Sequence, residues 1–162
     1  MGITYPDVFA AVGVNSGLEY KAATTIEEMM ALLSANGKAG PDPFQQGHLA
    51  YKAMGSYARR VPTIVFHGTI DSVLPIKHGR EVVISMLVAN SLADPTFKNA
   101  DYDVPDSNVT GQVPSGHPYT VASWNDVYGK LVLQYFRVQG MDHAWSGGAV
   151  PNVDGAGSSS NR

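Results

Sequence analysis

Short apolar runs that alternate with stretches of helical spacing constrain this fold more than any other feature of the sequence. Residues 8–15 (VFAAVGVN) and 61–66 (VPTIVF) have the composition of strands buried on both faces, and we expect the first to be a central strand. Helical spacing follows in residues 25–36, 44–60 and 77–93. Strands that alternate with helices predict an α/β fold in which helices flank a mostly parallel sheet.

The second half of the chain adds strands and one irregular segment. Residues 119–124 and 131–138 indicate two strands joined by a turn, whereas residues 99–118 are rich in Asp, Asn, Gly, Pro and Ser and predict a surface loop. A chain of 162 residues is long enough to bury about 70% of its unfolded surface around one core. We therefore expect one domain over residues 1–150 and a flexible tail over residues 151–162.

Composition and charge exclude several classes of function. The net charge is -3 and the 11 basic residues are scattered, which argues against a nucleic-acid partner. The chain has no cysteine, so disulfides, thiolate metal sites and cysteine nucleophiles are excluded. No apolar run approaches the roughly 20 residues of a membrane span, and His48, His78 and His117 lack metal-ligand spacing. We expect no membrane association, no metal and no cofactor, and we expect these histidines to be surface or packing residues.

Three predicted strands end in polar residues, and ligands of parallel sheets bind beyond the carboxyl ends of the strands. Asp71 follows the strand of residues 61–66 and can either orient a histidine or cap the next turn or helix. His143 follows the strand of residues 131–138 and suits proton transfer, although a lone histidine is more often structural. Ser16 follows the first strand without a Gly-x-Ser-x-Gly elbow, which favours a structural role.

Four blocks stand in order along the chain: TYPDVFAAVGVNSG, GPDPFQQGHLAYKAMGS, VPTIVFHGTIDSVLP and GMDHAWSGG. Together, from Thr4 to about Gly148, they closely resemble the polyhydroxybutyrate depolymerase and feruloyl or acetylxylan esterase group of α/β-hydrolases. The resemblance implies a partial α/β-hydrolase fold. It also implies that Asp71 is the acid and His143 the general base of a triad, in the family's chain order of Ser, Asp and His.

The resemblance further implies that parts of the family's fold lie outside this sequence. The family's nucleophile elbow lies upstream of the Tyr-Pro-Asp-Val-Phe block, whereas only Met1-Gly2-Ile3-Thr4 precede that block here. We expect the usual nucleophile, the strands before it and the final helix to be absent. Ser16 is then our best surrogate nucleophile, because its strand lies next to the elbow strand in this family. Strands missing from one side leave an apolar sheet edge, which predicts a homodimer.

These expectations lead to one main function and two alternatives. We expect a carboxylic-ester hydrolase that acts on a small or polymeric ester by a Ser-His-Asp mechanism, with Trp145 beside the substrate. The first alternative is a non-catalytic, self-associating module that binds a small ester or aromatic ligand near Trp145. The second is a carbohydrate-binding module that uses Trp124, Trp145 and Tyr119, in which case the triad-like blocks are coincidental.

Overall fold

The computed structural model describes residues 1–33 and 40–146 of the chain. Within those residues, the strands are β1 (Val12–Asn15), β2 (Thr63–Gly68), β3 (Ser107–Gln112), β4 (Pro118–Asn125) and β5 (Leu131–Val138). The helices are α1 (Ile26–Leu32), α2 (Pro43–Met54) and α3 (Lys77–Ala93), and a 3-10 turn (Gly55–Tyr57) extends α2. The predicted tail of residues 151–162 and the end of the predicted domain lie outside the described residues.

The strands form one mixed sheet in the order β1-β2-β5-β4-β3. The β1–β2 and β2–β5 pairs are parallel, whereas the β5–β4 and β4–β3 pairs are antiparallel. Four of the five described strands therefore run in one direction and only β4 runs against them. This arrangement confirms the prediction of an α/β fold with a mostly parallel sheet flanked by helices.

The register of the parallel strands brings three chain segments to one edge of the sheet. Asn15, the last residue of β1, pairs with Phe66, and Gly68, the last residue of β2, pairs with Val138 of β5. The carboxyl ends of β2 and β5 are therefore level with each other, and β1 ends two residues short of them. The residues that follow them begin at neighbouring points on this edge, where ligand sites of parallel sheets form.

Local capping sets the bounds of the first two helices. A capping box starts α1, in which the Thr25 hydroxyl accepts from the Glu28 backbone N–H at 3.2 Å and the Glu28 carboxylate accepts from the Thr25 N–H. The extended backbone at Leu33 ends α1 after seven residues, so the helix is shorter than the three turns predicted. Asp42 caps α2, and Gly55, at φ 58°, ends it.

One hydrophobic core lies between the sheet and the helices. Helix α3 packs against β2 and β5, and α2 packs against α3. The two helices approach closely because α2 has a glycine at the crossing: a Cβ on Gly47 would lie 2.7 Å from the Ser85 carbonyl oxygen. The largest fully buried apolar side chains of this core include Trp124, Tyr135, Phe97, Met54, Leu87 and Leu133.

The first predicted strand is wrong in its start and in its place. Residues 4–9 form turns, with the Thr4 and Tyr5 N–H groups bonded to the Met1 carbonyl and the Val8 and Phe9 N–H groups bonded to the Tyr5 carbonyl. The strand therefore begins only at Val12. Within the described residues β1 pairs only with β2, so it is an edge strand and not the central strand that its composition predicts. The edge position agrees with the apolar sheet edge that the resemblance leads us to expect.

The predicted surface loop of residues 99–118 contains a strand. Strand β3 pairs with β4 in an antiparallel hairpin, from Ser107 opposite Ser123 to Gln112 opposite Pro118. Nearly all of its side chains are exposed, so the sequence carries no apolar alternation that would identify it. The other end of the sheet is thus also an edge in the part of the chain that the structure describes. No helix of these residues is long and apolar enough to cross a membrane.

Candidate active site

The turn after β2 buries the Asp71 side chain and fixes its direction. Its Oδ1 atom accepts hydrogen bonds from the backbone N–H groups of Val73, at 3.0 Å, and Leu74, at 2.8 Å. The side chain is fully buried, at 0% exposure. Asp71 therefore does cap a local turn, as one of the two interpretations of the sequence proposed. Its second oxygen remains available to another loop.

That other loop follows β5 and carries His143. The His143 Nδ1 atom lies 3.0 Å from Oδ2 and 3.2 Å from Oδ1 of Asp71, across 72 residues of sequence. A carboxylate only accepts, so Nδ1 carries the proton and Nε2 is left with a lone pair. The His143 side chain is 39% exposed, unlike Asp71. A buried carboxylate beneath a partly exposed imidazole is the arrangement of an oriented general base.

Backbone contacts hold the two loops together just before these residues. The Thr69 and Ile70 N–H groups donate to the Val138 and Met141 carbonyls at 3.0 and 3.2 Å. A Cβ at Gly68 would collide with the Met141 carbonyl oxygen, so only glycine fits at the end of β2. Gly68 therefore has a steric reason to be glycine, at the point where the two loops touch.

Sequence reasoning missed a third titratable group, the buried His67 of β2. Its Nε2 atom lies 2.7 Å from the Leu74 carbonyl oxygen, to which it donates, and 3.4 Å from Oδ2 of Asp71. Burial lowers the pKa of His67, although the Leu74 carbonyl and the Asp71 charge oppose this. Because His67 is neutral, it does not compensate the negative charge of Asp71, and that charge acts on His143. The only signal in the sequence was its place at the end of a buried strand.

Ser16 lies at the same sheet edge with a strained backbone and a buried side chain. Its φ is 44°, which is uncommon for a residue other than glycine, and its N–H donates to the Phe66 carbonyl at 2.9 Å. The Oγ atom is buried and has no hydrogen-bond partner among the described residues, His143 included. The neighbouring Asn15 side chain donates to the Ala144 carbonyl at 2.9 Å, which joins this edge to the His143 loop.

Trp145 and two aliphatic side chains form the exposed apolar surface of the loops that carry Asp71 and His143. Trp145 is 79% exposed, and Ile70 and Val73, which flank Asp71, are also exposed. Trp124, in contrast, is fully buried and its indole N–H donates to the Asp101 carbonyl at 2.8 Å. The carbohydrate-binding alternative needs Trp124 at the surface. The structure therefore excludes Trp124 as a ligand-binding residue.

Comparisons with known proteins support the fold at a coarse level. No family model matches the chain, and no curated protein matches it. Among solved structures, it is similar to the acetyl xylan esterase from Aspergillus awamori, with a TM-score of 0.59 and 21% identity over 88% of this chain. The match covers 48% of that esterase, so the chain spans about half of its length. The sheet and this neighbour therefore define the class of fold, a partial α/β fold similar to that of the esterase.

Proposed function

We propose that this chain carries the acid and base of a carboxylic-ester hydrolase related to the polyhydroxybutyrate depolymerase and feruloyl or acetylxylan esterase group. The observation that supports it is the 3.0 Å bond from His143 Nδ1 to the buried Asp71, at the carboxyl end of parallel strands. Asp71 orients the ring and stabilises its cationic form, while Nε2 takes and returns the proton. Both positions agree with the residues that the resemblance implies.

Each half-reaction moves one proton through His143. Nε2 removes the proton of a serine hydroxyl as that oxygen bonds to the ester carbonyl carbon. The proton then passes to the alkoxide oxygen, which leaves as an alcohol, and the acyl group stays on the serine. Water repeats the sequence: it loses a proton to Nε2, attacks the acyl carbon and releases the carboxylic acid and the serine, to which the proton returns.

Ser16 is our candidate nucleophile within this chain. Its positive φ at the end of β1 supports the proposal, because strained backbone is common where side chains do chemistry. Its buried hydroxyl opposes it, and attack requires the turn after β1 to expose Oγ. Replacement of Ser16 by Ala with no change in hydrolysis eliminates this residue and leaves the Asp71–His143 pair as the proposal.

The surface around His143 favours esters with an apolar or aromatic part. Trp145 offers a large flat face two residues from the base, and Ile70 and Val73 add aliphatic surface beside Asp71. Hydroxyalkanoate polyesters and feruloylated or acetylated polysaccharides all present such groups next to an ester bond. We therefore propose this class of substrate, with Trp145 as a binding residue.

Hydrolysis of a short-chain p-nitrophenyl ester tests the proposed function. We expect His143→Ala and Asp71→Asn to lower kcat by at least about 100-fold, because the first removes the base and the second its orientation. His48→Ala is the matched control, since His48 is an exposed histidine of α2, and its activity should equal that of the unaltered protein. Equal activity of all three variants would refute the assignment. A serine-reactive phosphonate, mapped by mass spectrometry, identifies the nucleophile.

A non-catalytic binding module is the second candidate. Two separate observations favour it: the Ser16 hydroxyl is buried, and Trp145 is exposed. Because Trp124 is buried, a ligand that reaches the surface quenches mainly Trp145 fluorescence. Saturable quenching by a feruloyl ester, together with no hydrolysis and no phosphonate labelling, supports this function. Turnover that depends on His143 excludes it.

A further inference from the structure

Asp142, the residue before His143, makes three hydrogen bonds through a single carboxylate oxygen. Its Oδ1 atom accepts from the Ser72 N–H at 2.7 Å, from the Ser72 hydroxyl at 2.8 Å and from the His143 N–H at 2.7 Å. These bonds lower the pKa of Asp142, with the Ser72 N–H as the largest cause, so the group is a carboxylate at neutral pH. Bonds of this kind to a charged acceptor are among the stronger ones in proteins.

The two aspartates of this region form a reciprocal cross-link between loops. Asp71, in the loop after β2, binds the His143 ring of the loop after β5. Asp142, in the loop after β5, binds Ser72 of the loop after β2. Asp71 is thus followed by Ser72, which Asp142 binds, and Asp142 is followed by His143, which Asp71 binds. The position of the His143 ring and the position of its acceptor are set by the same pair of loop tips.

The bonds earlier in the loops do not duplicate this contact. The bonds of Thr69 and Ile70 to Val138 and Met141 join the bases of the loops, next to the strand ends. Beyond them, Asp142 binds both the backbone of His143 and the residue after Asp71. Without its carboxylate the loops remain joined at their bases while their tips, which carry the base and its acceptor, lose a shared anchor.

We propose that Asp142 is a positioning residue, whose carboxylate holds the two loop tips in register so that His143 keeps its Nδ1–H bond to Asp71. The assignment rests on the proposed function, because the ring it positions is the base of that reaction. Asp142 does not itself exchange a proton with the substrate. Its effect on catalysis passes through the geometry of His143, where displacements near 1 Å can cost about 100-fold in rate.

The ring nitrogen shifts of His143 in the full-length, 15N-labelled protein test the positioning directly. In the unaltered protein the bond to Asp71 should hold the tautomer with the proton on Nδ1. Asp142→Ala should move the shifts toward the tautomer mixture of a free imidazole. Asp142→Asn keeps an oxygen acceptor and should restore the Nδ1–H tautomer, and Asp7→Ala, which alters an exposed aspartate before β1, should change nothing. An unchanged His143 tautomer in Asp142→Ala overturns the proposal.

Hydrolysis rates add a second readout that separates the two proposals. Asp142→Ala should lower kcat at least about tenfold with little change in KM, and Asp142→Asn should recover most of it. If the unaltered protein hydrolyses no ester, the proposed function fails, while the His143 tautomer still tests the positioning. If Asp142→Ala does not fold, Ser72→Ala decides, because it removes one of the three bonds: exchange of the Nδ1 proton should accelerate about threefold or more. An unchanged exchange rate overturns the proposal.

Discussion

Glu19 is a buried carboxyl group whose protonation should control how stability depends on pH. Its side chain is 6% exposed, and neither oxygen has a hydrogen-bond partner among the described residues. The Glu19 and Glu81 carboxyl groups both lie close to Gly40: a Cβ at this glycine would lie 3.2 Å from Glu19 Oε1 and 2.9 Å from Glu81 Oε2. Glu81 Oε2 is also 2.7 Å from His78 Nδ1. Burial, followed by the charges of Glu81 and Asp42, raises the pKa of Glu19 from 4.5 to about 8.

The raised pKa means that the folded state retains a proton that the unfolded chain loses. The free energy of unfolding is therefore highest below pH 4.5 and falls as the pH rises toward 8, above which this contribution is constant. At about 1.4 kcal/mol for each pKa unit, ionisation of Glu19 lowers the free energy of unfolding by about 1 kcal/mol at pH 5, about 3 at pH 7 and about 5 at pH 9. Glu19→Gln removes the ionisable proton and keeps the shape.

Urea unfolding followed by circular dichroism at pH 5, 7 and 9 measures this effect. We expect Glu19→Gln to exceed the unaltered protein in free energy of unfolding by about 1 kcal/mol at pH 5 and by about 5 kcal/mol at pH 9. Glu27→Gln, an exposed glutamate of α1, is the control and should show no such growth with pH. An equal difference in free energy of unfolding at pH 5 and at pH 9 would refute the reasoning, because ionisation of Glu19 would then not change the stability of the fold.

Three further predictions concern packing, substrate and assembly. Gly79→Ala should lower the free energy of unfolding by about 1 to 3 kcal/mol and lower the melting temperature with it. The reason is steric, because the new methyl group would lie 2.6 Å from His67 Nδ1 and 2.7 Å from the Tyr135 hydroxyl, and an unchanged melting curve contradicts this. Trp145→Ala should raise KM for a feruloyl ester about fivefold and leave kcat nearly unchanged, in a direct comparison with an acetyl ester, and an equal KM would remove Trp145 from the binding surface. The predicted homodimer rests on the edge position of β1, and a monomer by light scattering at micromolar concentration counts against it.

The sequence predicted best the elements whose own residues carry the signal. The predicted bounds of α3 and β5 agree with the structure, because the helical period of α3 and the mostly apolar and aromatic run of β5 are strong local signals. Strand β3 was missed because its side chains face solvent, so its pairing with β4 leaves no local pattern. The predicted start of β1 is too early because residues 8–11, which precede the strand, are as apolar as the strand residues themselves.

The candidate site divides in the same way. Asp71 and His143 follow strand ends, a position that sequence reasoning can identify, and the structure brings them within hydrogen-bond distance. His67, Asp142 and Glu19 could not be found, because their importance comes from partners that lie far away in the chain or from burial by other segments. Such groups become visible only when the loops are seen together.

The loops after β2 and β5 have a consequence for protein engineering. The hydrogen bonds that hold Asp71, Asp142 and His143 come from residues 68–74 and 138–143, which extend from two adjacent strands. A designer who wishes to move this acid and base to another parallel sheet must therefore transfer both loops as one cassette, with Gly68 included. A nucleophile could then be supplied on a separate strand or a separate chain, because none of those bonds depends on where the serine comes from.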